Sequence, residues 1–133
     1  MKNLFLLTLV LLLIVGCKKD LVDTSANDIK DLNGLESLNN EIATGVSLVF
    51  YHASWCTICE EQRPAVESLS KNNEAAFANF FEMEFDDNKE AVRAKKVTGF
   101  PTIVIYKNGE EKQRFNGKGH SDSDLLKALK DNQ

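Results

Sequence analysis

Apolar residues fill the chain from Leu4 to Val15 with a single polar interruption, Thr8, and then stop abruptly at Lys18-Lys19-Asp20. From Lys18 to about Asn27 the composition is polar and reads as a spacer. Beyond Asp28 the pattern changes again. Leu35, Leu38 and Ile42 recur at helical spacing and predict an amphipathic helix that ends near Gly45. Val46 to Tyr51 is an apolar and β-branched run broken only by Ser47, the signature of a strand buried on both faces. A helix follows from about Thr57 to Asn72, with Pro64 inside it as a predicted kink. Asn79 to Asp86, carrying Phe80, Phe81, Met83 and Phe85, predicts a second strand, and Asn88 to Lys96 a short charged helix. Thr102 to Tyr106 predicts a third strand, joined through Asn108-Gly109 to a partner at Gln113 to Asn116; Asn-Gly between extended runs is the strongest short hairpin signal. Ser121 to about Lys130 closes the chain as an amphipathic helix through Leu125, Leu126 and Leu129.

Strands and helices that alternate and then end in a hairpin and a helix imply an α/β fold, a mixed central sheet sandwiched between helices on both faces. The expected division is 1–16 as a leader, 17–27 as an anchor residue and flexible linker, and 28–133 as one folded domain.

Charge narrows the partners. The formal net charge is −4, and removing the leader takes away Lys2 and no acid, leaving 15 basic against 20 acidic side chains, or −5. A weakly acidic domain offers no basic face to nucleic acid. The twelve-residue apolar run is too short for a transmembrane helix, which needs roughly twenty residues, and suits a secretory signal. Its end, Ile14-Val15-Gly16-Cys17, resembles the lipobox of bacterial lipoproteins. That resemblance implies acylation of Cys17, a tether to the lipid bilayer, and residence in the cell envelope.

The other two of the three cysteines form Cys56-Thr57-Ile58-Cys59, where the buried strand hands over to a helix. A helix start supplies unpaired N–H groups and the positive end of the dipole, both of which favour a thiolate. Two cysteines three apart can also close a small ring. A redox pair is the preferred reading. A structural disulfide, half of a zinc site, or a copper site shared with His52 or His120 are the other readings of the residues alone.

From about Asp28 onward the chain resembles the thioredoxin-fold family. The matches are Trp55-Cys56-x-x-Cys59, Pro64 five residues later, Val97-Thr98-Gly99-Phe100-Pro101-Thr102, and Tyr106-Lys107-Asn108-Gly109. The resemblance implies a thiol–disulfide oxidoreductase with Cys56 attacking and Cys59 resolving. It implies no cofactor besides the Cys56–Cys59 disulfide, and no metal. Pro101 would follow a cis bond, and Trp55, Phe100 and Pro101 would shape the groove where a substrate strand pairs. The implied partners are extracytoplasmic protein thiols and disulfides and a membrane protein that resets the pair, the chain itself acting as a monomer, with reduction of protein disulfides the preferred direction and oxidation or isomerisation the alternatives.

The departures from the family are specific. Thr57-Ile58 replaces the Gly-Pro of thioredoxin itself, and Glu60 and Glu61 follow Cys59 where a lysine is usual. Phe50 stands six residues before Cys56, where the family carries a buried aspartate that accepts a proton, so Cys59 is expected to stay protonated above neutral pH. His52 is expected to pack near the site, with proton transfer as its functional alternative, and His120 to be exposed. The competing reading of the whole is a non-enzymatic module that binds a client or copper through the same cysteines.

Overall fold

A computed structural model of the protein describes residues 28–133. The leader, Cys17 and the linker lie outside the described residues. The elements are β1 (Lys30–Asp31), α1 (Gly34–Ile42), β2 (Val46–His52), α2 (Thr57–Ser70), a 3-10 turn (Asn73–Ala75), β3 (Ala78–Glu84), α3 (Lys89–Ala94), β4 (Thr102–Lys107), β5 (Glu110–Asn116) and α4 (Asp122–Asp131). The five strands form one sheet in the order β1-β3-β2-β4-β5. β3 runs parallel to β1 and β2, while β4 is antiparallel to both β2 and β5. This is the mixed sheet expected from the alternating pattern, with helices on both faces.

β2 is central because it can afford no wet side: Val46 through Tyr51 are all buried. Its alternate residues supply two cores. Val46, Leu48 and Phe50 face α2 and α4, packing with Val66, Leu69, Leu125 and Leu129. Val49 and Tyr51 face the opposite layer, with Leu38 and Ile42 of α1 and Val92 of α3. There the buried hydroxyls of Tyr51 and Tyr106 satisfy each other at 2.9 Å.

The hairpin forms as its Asn-Gly predicts. Asn108 and Gly109 have φ of 50° and 82°, the two positive values a tight strand-twist-compatible turn requires. The turn is also pinned to the end of α1, since Gly45 N–H donates to Asn108 Oδ1 at 2.8 Å and Gly109 N–H donates to Ile42 O at 2.7 Å. β5 begins at Glu110, earlier than the apolar pattern suggested, because it is a largely exposed edge strand with little hydrophobic signal. β1 was not foreseen. Its two residues, Lys30 and Asp31, are exposed, and only their pairing with Phe81 and Glu82 makes them a strand. α2 continues through Pro64 to Ser70.

α4 starts at a reciprocal cap. Ser121 Oγ accepts from Asp124 N–H at 3.1 Å, and Asp124 Oδ2 accepts from Ser121 N–H. Ser121→Ala should remove about 1 kcal/mol of stability, read as a lower urea midpoint at unchanged slope; no change would mean that water replaces the cap without cost.

Candidate redox site at the head of the second helix

β2 ends at His52, and four residues later Cys56 caps α2 in an extended conformation. A short turn makes the handover: Cys56 N–H donates to Ala53 O, and Cys59 N–H to Cys56 O, both at 3.1 Å. Cys56 and Cys59 are joined as a disulfide, with Cα atoms 5.3 Å apart. Cys56 is 7% exposed and Cys59 4%, so in the oxidised state the first sulfur is only slightly more accessible than the second. Their difference lies in position: Cys56 precedes the helix and Cys59 is inside its first turn, among the α2–α4 core residues.

The pair is framed by apolar side chains left in water. Trp55 is 64% exposed and Ile58 38%, the exposed large hydrophobic residues of the described chain. The indole N–H of Trp55 donates to Asp86 Oδ2 at 2.9 Å, and its ring meets Phe100 edge-on with centroids 6.1 Å apart. Phe100 leans in turn on Phe85 at 5.0 Å. The Phe100–Pro101 peptide is cis, and Pro101 itself is buried. Ladder pairing of β4 begins only at Thr102, which leaves the Phe100 main chain just past its end. All of Trp55, Cys56, Cys59, Phe100 and Pro101 therefore belong to one end of the sheet.

Around Phe50 lies a charged group that the sequence did not single out. Phe50 is fully buried and sits directly across from Glu82 on β3. Arg63 of α2 donates to Glu82 Oε2 at 2.6 Å and lies 5.2 Å from the centre of the Phe50 ring. His52 completes this group, its ring stacked on that of Phe50 with centroids 5.3 Å apart. Its Nε2 is buried 3.3 Å from Glu82 Oε2, close enough for a hydrogen bond but not aligned for one. The His52 imidazole first, and Arg63 next, hold the Glu82 carboxyl down to about 2, against the burial that raises it. The available signal was a charged residue at an inward position of an alternating strand, between Phe80 and Met83.

His120 is not exposed as expected but partly buried. Its ring packs on Phe115 at 5.0 Å, and its main chain is clamped by buried Gln62, whose Nε2 donates to His120 O at 2.7 Å and whose Oε1 accepts from His120 N–H at 3.0 Å. This ties the loop before α4 to the redox helix. Glu61 and Lys118 form an ion pair across the same junction. Among the described residues, no group of three or more His, Cys, Asp or Glu is placed to hold a metal ion, and no helix is long and apolar enough to cross a membrane.

A family model described as Thioredoxin matches residues 31–131. The thioredoxin of Chlamydia caviae is 32% identical over 88 residues, covering 66% of this chain and 84% of that protein. The thioredoxin domain-containing protein 5 homolog of Drosophila melanogaster is 28% identical over 92 residues, which cover 66% of this chain and 22% of that longer protein. Among solved structures, Fasciola hepatica thioredoxin is 31% identical, with a TM-score of 0.67 over 79% of this chain and 100% of that one.

Proposed function

The chain belongs to the thioredoxin family and is a thiol–disulfide oxidoreductase, and we propose that it works outside the cytoplasm, held to a membrane through acylated Cys17, as a reductant of protein disulfides. The thiol–disulfide chemistry is carried by the position of the Cys56–Cys59 disulfide, at the N-terminus of a fourteen-residue helix and beside an exposed apolar rim; the anchor is supported by the lipobox-like Ile14-Val15-Gly16-Cys17.

In the proposed cycle a client disulfide settles on Trp55, Ile58 and Phe100 while its backbone pairs near Phe100–Pro101. Cys56 thiolate, favoured by the helix end, attacks one client sulfur. The client S–S bond breaks, and its second sulfur leaves as a thiolate. Cys59 then attacks Cys56, the internal disulfide forms, and the first client sulfur, the one bonded to Cys56, is released. The client gains two electrons and two protons, and the enzyme is left oxidised. A separate membrane dithiol must return those electrons.

The test is turbidimetric reduction of insulin by dithiothreitol, with the domain from Asp28 onward as catalyst, with and without Cu(I). Catalysis at substoichiometric enzyme, lost in Cys56→Ser, is the expected result. Stoichiometric copper binding without turnover would favour a metal-binding module. Anchoring is tested separately in the full chain: Cys17→Ser should leave an unprocessed precursor that no longer partitions into detergent, and normal processing of this variant would overturn the anchor.

A further inference from the structure

Phe50 occupies the place where an internal acid would take the proton from the resolving thiol, and it cannot accept one. It packs in the same buried cluster as Cys56 and Cys59, and the next side chain on the same face of β2 is His52, stacked on its ring. The proton's nearest alternatives to position 50 are thus the groups around Phe50: His52, Glu82 and Arg63.

Of these, Arg63 is a fixed cation. Glu82 is engaged by Arg63 and held strongly acidic, which makes it a poor base. Glu84, the register partner of His52, has both carboxylate oxygens committed to backbone, accepting from Ser54 N–H and Asp87 N–H at 3.0 Å. His52 has no such backbone commitment: its Nε2 faces Glu82 Oε2 at 3.3 Å, so in the neutral ring that nitrogen carries the proton and Nδ1 is left to accept one, with Glu82 beside it to balance a positive ring. Behind Arg63 stands Glu67, and a shallow cleft lined by Asp28, Arg63, Lys71 and Glu82 opens to water on that side. The cation nearest the imidazole, Arg63, is thus paired with Glu82.

We propose that His52 is the proton acceptor for Cys59, with Glu82 and Arg63 as positioning residues. Neutral His52 takes the proton from Cys59 Sγ, directly or through one water. Cys59 thiolate attacks Cys56 Sγ, the Cys56–Cys59 bond forms, the Cys56–client bond breaks, and the client sulfur leaves with the electron pair and is protonated by solvent. The imidazolium rests against Glu82 until its proton returns to water. The active site thus keeps an internal base, moved two residues along β2. This inference rests on the reading of Cys59 as the resolving thiol.

The experiment is stopped-flow reaction of the reduced domain with an aromatic disulfide whose thiol is coloured. Its first phase releases one thiol as Cys56 is modified, and its second releases another as Cys59 resolves. In His52→Gln the first phase should persist and the second slow by about 100-fold near neutral pH, within the usual range for loss of a general base. In the parent, the second phase should rise with pH along the same curve as the protonation of the His52 ring followed by NMR. His52→Gln should lose that rise and keep only the later one from thiol ionisation. Glu82→Gln should move the parent midpoint to lower pH, since the imidazolium loses its counter-charge. Equal second phases in parent and His52→Gln, equal slowing of both phases, or a parent midpoint that departs from the NMR titration would each overturn the proposal. The parent comparison holds even if a variant fails to fold. A second phase surviving in Cys59→Ser would instead overturn the underlying assignment of the resolving thiol.

Discussion

Cys59→Ser should accumulate covalent adducts with client proteins, and Cys56→Ser should accumulate none. The two sulfurs are similarly covered in the disulfide, so exposure does not separate them. Helix position does. Cys56 caps α2, next to the exposed Trp55, while Cys59 lies within the first turn among core side chains. Once Cys56 has joined a client, Cys59 is held beside it, and reactions between groups so held proceed as if the second were present at about 10⁵ M or more. External thiol at ordinary concentrations cannot replace this, and the adduct lifetime in Cys59→Ser should lengthen by at least about 10³-fold. Mass spectrometry of the protein after incubation with insulin reads the result directly. Adducts on both variants in equal yield would mean that either cysteine can attack and that the helix start confers no preference.

Phe50→Asp should destabilise the domain by about 3–5 kcal/mol, the range for deleting a buried aromatic ring from a core. The ring is fully buried, with the His52 ring and the Arg63 guanidinium against it, and it belongs to the same buried cluster as the two cysteines. A carboxylate in its place would lose those contacts and face Glu82 directly across the sheet. Arg63 is already engaged by Glu82, so the new charge would be buried with half a partner. Against a typical total of 5–15 kcal/mol this is severe, and urea unfolding followed by circular dichroism would show it. A loss below about 1 kcal/mol, well under the usual cost of an ill-paired buried polar group, would mean that Arg63 swings from Glu82 to the new acid and that this fold accepts either arrangement of the buried charges.

The residues that do chemistry were legible because their signals are local. Cys56 and Cys59 announce themselves by spacing, and the central strand by six consecutive buried positions. Asn108-Gly109 requires positive φ and therefore writes its turn into the sequence. The acidic counter-charge was not legible in the same way. Glu82 reads as a polar residue in a strand, and its meaning depends on Phe50 across the ladder and Arg63 from another element, nineteen residues distant in sequence. β1 was missed for a similar reason, since two exposed charged residues carry no strand pattern and are drafted by β3. His120 was expected in water, yet Gln62 holds it from 58 positions away. In each case the missing information was a pairing between distant segments.

The chain contains one tryptophan, Trp55, and it stands at the edge of the redox pair with its indole anchored to Asp86. The indole emission of the whole protein is consequently emission from this edge, with no other fluorophore of its kind to dilute it. Because the ring is largely in water when the site is empty, a client that settles on the apolar rim must dry it and shift its emission to shorter wavelength, whether or not any sulfur has reacted. The protein carries its own optical gauge, one that separates arrival of a client from exchange of its bonds.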